Sequence, residues 1–436
     1  MASTSPSSDA ATPEQATPEQ ATPDRATLPS FAKTVAILSA LMAFASISTD
    51  LYLPAMPTLG QSLGGSQGSV ELTLSSFLIG FSLGQLFWGP IGDRYGRRTP
   101  ILFGLVLFMI GSAGCALAGS VEQLIVWRIV QAAGACAGPV LARAMARDLY
   151  GRDRAAQLLS TLMLVMGIAP LLGPLIGGQV LLIGSWRLIF WLLVVLGIAI
   201  FAAMLRLPES LPRERRSTIG LGAVLGNYWL MVKSRTIMGY AIASGCYYGG
   251  IYAYLAGTPT AYISYYHVAP QAYGLLFGLG IIGQMLLNLL NTRFVVRMGS
   301  DYMLRWGATL VGVSGIWAGV AATTGIGGLW GLVLPLFFFL SANGLFVANA
   351  MAGALAVNPD RSGAISAFVG AIQFGSGIFG SALVGWFADG TPRPMGIVIA
   401  VLGTASFIVT LRKIRQRCGS GDGIETASLP HQATPV

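Results

Sequence analysis

The chain has 436 residues, of which 54% are hydrophobic and only 10% charged. A soluble domain cannot bury so large an apolar share, so the composition excludes a soluble enzyme or binding module and points to an all-α polytopic membrane protein. The formal charge of +9 does not signal nucleic acid, because the basic residues fall in short loops between apolar runs, where they encode orientation.

Residues 1–30 hold the tandem repeat "ATPEQATPEQATPDRATLP". Its prolines and small polar residues offer too little apolar surface to offset the entropy of ordering, so a disordered tail is expected. It lacks the basic start, apolar core and cleavage site of a signal peptide, so it is expected to stay in the cytoplasm. Apolar stretches able to cross about 30 Å of hydrocarbon then recur at 31–59, 70–91, 99–119, 121–146, 155–183, 186–206, 236–260, 271–296, 302–323, 328–357, 361–388 and 394–412. With twelve spans and both termini inside, the cytoplasmic segments hold 23 of the 26 Lys and Arg residues. The periplasmic loops hold only Arg187 and Arg393, a split that supports this orientation.

The connection 207–235 divides the chain into six-helix bundles at 31–206 and 236–412, with a cytoplasmic tail at 413–436. Its second part, "IGLGAVLGNYWLMVKSR", reads as an amphipathic helix on the membrane surface. Two six-span halves imply an internal repeat, which in transporters places the substrate site between the halves. The loop "GPIGDRYGRR" (89–98) between spans 2 and 3 has a degenerate partner, "NTRFVVRMG" (291–299), between spans 8 and 9.

Asp50, in "SISTDLYLPAMP", is the one acidic residue that this reading places deep in a span, and Arg128 in span 4 the one basic residue. A carboxylate at the bilayer centre costs roughly 2.5–3.5 kcal/mol on insertion scales. Counting at 1.5 Å per residue puts both groups about 10–14 Å below the periplasmic boundary. The sequence leaves three readings open: a proton site whose affinity changes as its surroundings move, a permanent Asp50–Arg128 pair, or a carboxyl held by Ser46, Ser48 or Thr49. Gln131 extends the polar face of Arg128. In the 2–3 loop, Gly92 and Gly96 permit a sharp reversal and Arg94, Arg97 and Arg98 hold the cytoplasmic side.

In span 5, Gly167, Gly173, Gly177 and Gly178 with Pro170 and Pro174 read as a hinge or seal. In span 7, Tyr248 and Tyr252 share a face and are assigned with Tyr52 to a substrate cavity, while Tyr262, Tyr265 and Tyr266 read as an interfacial belt. The buried amides Asn343, Asn349 and Gln373 serve ligand binding or helix packing equally well. The two histidines are isolated, the four cysteines form no CxxC, and no HExxH, GxSxG or GxxxxGK(S/T) string occurs. No metal, cofactor, hydrolase or ATP motor is implied.

These residues resemble the major facilitator superfamily and, within it, the Bcr/CflA group of drug:proton antiporters. Gly89, Asp93, Arg94, Gly96, Arg97 and Arg98 match the superfamily loop signature at each defined position. "RIVQAAG" is similar to the span-4 motif, with Ala132 where glycine is usual, and "GPLIGG" to the span-5 antiporter motif. The subgroup is marked by "TDLYLPAMP", "AYLAGTP", "NGLFVANAMAGAL" and "SGAISAFVGAIQFGSG".

The resemblance covers about residues 31–412. It implies a monomeric exporter in the bacterial inner membrane that trades protons for amphipathic drugs such as phenicols or bicyclomycin-like compounds. Asp50 would take the proton, Arg128 couple it to helix movement, and Asp93 with Arg97 and Arg98 latch the cytoplasmic face. Some relatives carry a second acidic residue where Met42 stands here, which argues against divalent cation export and against more than one proton per cycle. Import of a metabolite with protons, export of an endogenous metabolite, and a non-transporting receptor or scaffold are the competing readings.

Overall fold

The computed structural model describes residues 30–216, 221–358 and 361–419. The expected N-terminal tail lies outside these residues. Among them the chain is helical: α1 (Phe31–Asp50), α2 (Met56–Leu63), α3 (Gln67–Tyr95), α4 (Arg98–Leu117), α5 (Val121–Ala135), α6 (Ala137–Leu149), α7 (Arg152–Ile183) and α8 (Trp186–Met204) form the first half. After a linking helix, α9 (Leu221–Lys233), the second half comprises α10 (Arg235–Pro259), α11 (Pro270–Met298), α12 (Ser300–Thr324), α13 (Gly328–Ser341), α14 (Asn343–Leu355), α15 (Ser362–Trp386) and α16 (Arg393–Gly419).

Eleven helical runs are long and apolar enough to cross a membrane, counting α1–α2, α5–α6 and α13–α14 as one run each. The expected span outside that set is α10, 25 residues long. It is diluted by glycines and tyrosines, and it is also buried along nearly its whole length, from Ile237 to Pro259. A helix surrounded by protein meets little lipid and has no need of the apolar surface that lipid-facing helices carry.

Several expected boundaries shift. Span 1 ends as a continuous α-helix at Asp50; a 3-10 turn at Leu53–Ala55 follows, then α2. Pro54 and Pro57 supply no backbone N–H at this bend. Span 4 is interrupted at Cys136, where Pro139 cannot donate to the carbonyl of Ala135. Span 10 breaks at Ala342, and span 7 ends in a π-helical turn, Thr260–Tyr265. The last helix continues through Gly419, beyond the expected limit at 412. The central connection, where an amphipathic helix is expected, holds the helix α9, with Trp229 61% exposed and Lys233 over its ring.

The irregular spans are 1, 4, 7 and 10, which correspond pairwise under a six-helix repeat. Spans 2 and 8 match as well: α3 and α11 are each 29 residues long and each ends at a glycine of positive φ, Gly96 at 93° and Gly299 at 84°. Only glycine reaches that backbone region without strain, so the faint "NTRFVVRMG" partner preserves the turn after losing most of the signature.

Contacts between the halves are concentrated away from the arginine-rich face. There α7 meets α11 through Gly178 beside Pro270, and Gly274 beside Leu175. On α3 and α15, Ser75 Oγ lies 2.7 Å from Ser381 Oγ, and Ser82 Oγ donates to the Ala371 carbonyl at 3.3 Å. From Gln85 to Tyr95, no hydrogen bond or ion pair among the described residues joins α3 to the second half.

Candidate functional site

Asp50 ends α1 and is 4% exposed. Among the described residues its carboxylate makes no ion pair and no hydrogen bond. The neighbouring hydroxyls are committed elsewhere: Ser48 Oγ and Thr49 Oγ1 both donate to the Ala45 carbonyl, at 2.8 and 2.9 Å. Helix-bound Ser and Thr commonly turn back to the preceding turn in this way. Neither the permanent pair nor the hydroxyl-held carboxyl is found.

Arg128 is fully buried, and its guanidinium is built into a different set of contacts. Nη1 donates to the Ser48 carbonyl at 3.1 Å and to Gln131 Oε1 at 2.7 Å, and Gln131 Nε2 donates to Ser112 Oγ at 2.8 Å. The guanidinium carbon lies 4.2 Å from the centre of the Tyr52 ring and 4.4 Å from that of Phe77. Two aromatic faces around a desolvated cation are each worth about 2 kcal/mol. Nε and Nη2 are buried without a hydrogen-bond acceptor among the described residues. The cation is thus held beside Asp50's helix with two donors unused.

The span-5 cluster closes against this site. A Cβ at Gly173 would stand 2.8 Å from Asp50 Cβ, and one at Gly177 would collide with the Leu51 carbonyl. Glycine at these two positions is what lets α7 lie directly on the end of α1. Gly178 faces the second half, and Gly167 has open space around it. Pro170 and Pro174 both lie inside the unbroken α7.

The proposed cavity residues separate into two groups. Tyr52 is fully buried and shares a 3.0 Å hydrogen bond with Thr73, and Gln131 is fully buried under Arg128, so both belong to the cation's cradle. Asn349 is also committed, donating to Asn291 Oδ1 at 2.7 Å and to the Leu345 carbonyl. Tyr248, Tyr252 and Phe374 form one aromatic cluster, with Phe81 of the first half 4.7 Å from Phe374. Asn343 stands beside the Tyr247 and Tyr248 hydroxyls. Gln373 is 5% exposed and its Nε2 has no acceptor among the described residues. Of the expected belt, Tyr265 is 46% exposed, but Tyr262 is buried against Tyr273. The chain turns at His267, the one non-glycine residue with positive φ among those described, and the Val268 N–H donates to the Tyr262 carbonyl at 2.8 Å.

At the arginine-rich face, Arg97 pairs with Asp93 at 2.5 Å and with Asp148 at 3.0 Å. Glu209 accepts from the backbone N–H groups of Arg97 and Arg98 at 2.7 and 3.1 Å, the orphan donors that open α4. Arg98 Nη2 donates to the Leu205 carbonyl, while Arg94 lies over Tyr95. Gly89 has open space and Gly92 packs on Leu141. Asp148 and Glu209 were not foreseen; the signal was an acid in each neighbouring basic loop, "ARDLYG" and "LPESLP". Glu71 was not foreseen either. At 2% exposure it is as buried as Asp50, and its position five residues into α3 disguised it as a helix-start acid.

Two six-helix halves, irregular helices at their interface and a buried carboxylate beside a buried cation define a membrane transporter. The family model for the Major Facilitator Superfamily matches residues 38–261. A bicyclomycin resistance protein homolog of Haemophilus influenzae is 31% identical over 392 residues, covering 89% of this chain and 98% of the relative. The chloramphenicol resistance protein of Pseudomonas aeruginosa is 28% identical, covering 90% of this chain and 92% of its own. Multidrug resistance protein D of Escherichia coli is 28% identical, over 84% and 92%.

Among solved structures, the xylose transporter XylE of E. coli in a partially occluded inward-open conformation superposes with a TM-score of 0.70 at 16% identity, covering 88% of this chain and 97% of that one. A bacterial homolog of the lysosomal transporter Spinster, inward-facing, gives 0.71 at 15%, over 89% and 98%. The chain belongs to the Major Facilitator Superfamily, in its Bcr/CflA group, and is a multi-pass protein of the bacterial inner membrane.

Proposed function

We propose that the chain is a proton-coupled antiporter that exports amphipathic drugs, phenicol- or bicyclomycin-like compounds among them, by alternating access. The observation that carries this is the isolation of Asp50: a buried carboxylate with no hydrogen-bond or ion-pair partner among the described residues, lying against Gly173 of α7. A carboxyl meant only to hold helices together would be paired, because an unpaired buried charge is costly. A carboxyl that binds and releases a proton must be free to change partners.

The positive-inside rule assigns the arginine-rich face to the cytoplasm. The halves then meet on the periplasmic side, and among the described residues no hydrogen bond or ion pair joins the cytoplasmic end of α3 to the second half, which supports an inward-facing reading. In this state Asp50 releases its proton inward. Its negative charge then attracts the unused Nε and Nη2 donors of Arg128, drawing α1 toward α5. Gly173 and Gly177 allow α7 to follow. Drug enters between Tyr248, Tyr252, Phe374 and Phe81, whose ring faces suit an amphipathic guest, with Asn343 and Gln373 as polar contacts. Reprotonation from the periplasm loosens the Asp50–Arg128 attraction and resets the cycle.

Inside-out vesicles carrying the protein and energised acid inside test this directly. Addition of an accepted phenicol or bicyclomycin-like drug should release lumenal protons. No release across a chemically broad panel would sink the proposal.

A further inference from the structure

Glu71 sits on α3 one turn inside the periplasmic end, at the interface between the halves, and is 2% exposed. Its Oε1 accepts a 3.0 Å hydrogen bond from Thr260 Oγ1, which belongs to the other half. Its Oε2 is buried with no partner among the described residues. A Cβ at Gly385 of α15 would stand 3.3 Å from Glu71 Cβ, and one turn further on Ser75 meets Ser381. The carboxyl therefore belongs to one half and its single donor to the other, at the seal that must part before the central site can face the periplasm.

The charged and titratable groups around Glu71 do not compensate a negative charge there. Asp389, in the turn after α15, reaches it with the same sign. Asp389 itself is exposed, and despite a desolvation penalty acting the other way, the Thr391 hydroxyl and amide hold its carboxyl below the ordinary value. It therefore stays ionised. Arg393 acts on Asp389. On α5, Glu122 is exposed at the helix start, and Arg128 is turned into the Tyr52 and Phe77 rings. The end of α10 and the π turn bring Tyr254 and Tyr262, both fully or nearly fully buried, and α2 brings no charge. The charges of α4 and α6 (Arg98, Arg143, Arg147, Asp148) lie toward the cytoplasmic face. A dry carboxylate with one hydroxyl donor and a like charge nearby is poorly supported, whereas the neutral acid fits.

We propose that Glu71 is a proton-binding site of the periplasmic seal. It is protonated while the seal is closed and loses its proton to periplasmic water when the seal opens and both oxygens are hydrated. The proton is taken from and returned to the same side, so this site adds nothing to the proton count of exchange. It makes closure dependent on periplasmic pH: acid favours the closed seal, and rising pH favours opening. The inference rests on the alternating-access reading but not on the role given to Asp50.

The test uses the full chain, with its four native cysteines replaced by alanine and spin labels at Q61C and T324C. Both positions are exposed and lie at the periplasmic ends of opposite halves. Electron–electron distances are measured without drug from about pH 5 to about pH 9, a range that brackets ordinary and raised carboxyl values. The wild-type background should shift toward the longer distance as pH rises. E71Q should stay at the short distance throughout, and E71D should keep a titration with a displaced midpoint. D50N should still respond to pH. A response unchanged in E71Q, or absent from the wild-type background, overturns the proposal. If E71Q is not recovered folded, a midpoint in E71D identical to wild type overturns it as well. Failure of drug-driven proton release in unlabelled vesicles would instead count against the antiport reading and leave the distance result standing.

Discussion

Two acid–base neighbourhoods in this molecule are built on opposite plans. In the cytoplasmic loop, Asp93 and Asp148 both bind Arg97 directly, and Asp93 is half exposed. In the membrane, Asp50 and Arg128 are both buried, and yet they form no ion pair within 4 Å. The loop is cheap to pair because water still screens it, and pairing there fixes a turn. In the membrane a direct pair would hold the carboxyl ionised and its helix still. Keeping acid and cation apart, with Ser48, Gln131 and two rings standing in as the cation's partners, leaves the acid free to titrate.

The comparison can be broken first at Asp50. Asp50→Asn should reduce drug-driven proton release to the level of protein-free vesicles while the protein still purifies folded. A variant that still concentrates drug against its gradient would refute the role. The next largest effect is expected at Arg128. Arg128→Leu leaves Gln131 Oε1 and the Ser48 carbonyl without their donor, at about 1–3 kcal/mol for each buried group left unsatisfied. A clear drop in thermal unfolding temperature should accompany loss of transport. Arg128→Lys should recover part of the stability but not the ring stacking.

Gly173→Ala sharpens the contrast without altering any charge. Its methyl group meets Asp50 Cβ at 2.8 Å, so overpacking of roughly 1–3 kcal/mol is expected. Transport rate should fall while drug binding, measured by equilibrium dialysis, survives. In the loop, Glu209→Gln keeps a carbonyl oxygen for one of the two backbone N–H groups but turns its NH2 toward the other, and should still lower the melting temperature less than Glu209→Ala, which costs about 1 kcal/mol as a lost helix-start cap.

The smallest effect belongs to Asp389. Its folded-state value lies below the ordinary one, so its contribution to stability is present above the ordinary carboxylate range and is lost as pH falls through the folded value. Thr391→Ala should remove the hydroxyl's part of that contribution, while the amide of residue 391 and Arg393 keep the rest. Melting curves for the two proteins should then differ at neutral pH and converge in acid.

Much of the architecture could be read from the chain because each lipid-crossing helix must be its own apolar run. The exception, α10, shows the rule's limit: a helix hidden among others is freed from it. The loop latch was visible as a spaced run of Gly, Asp and Arg, but its partners Asp148 and Glu209 were two acids among 17 in the chain. Tyr52, Gln131 and Asn349 are expected in the substrate cavity, yet their polar groups are engaged with Thr73, with Arg128 and Ser112, and with Asn291.

Eleven of the twelve spans expected from the sequence alone are runs long and apolar enough to cross a membrane, and the same local reading carries the expected face of positive charge and the expected common depth of Asp50 and Arg128. These follow from local composition and a fixed rise per residue. Tertiary structure decided what those groups touch. Asp50 meets the glycines of a helix more than 120 residues away, and Glu71 shares its hydrogen bond with Thr260, 189 residues on. No local pattern carries such distances, because they exist only once two separately legible halves have packed against each other.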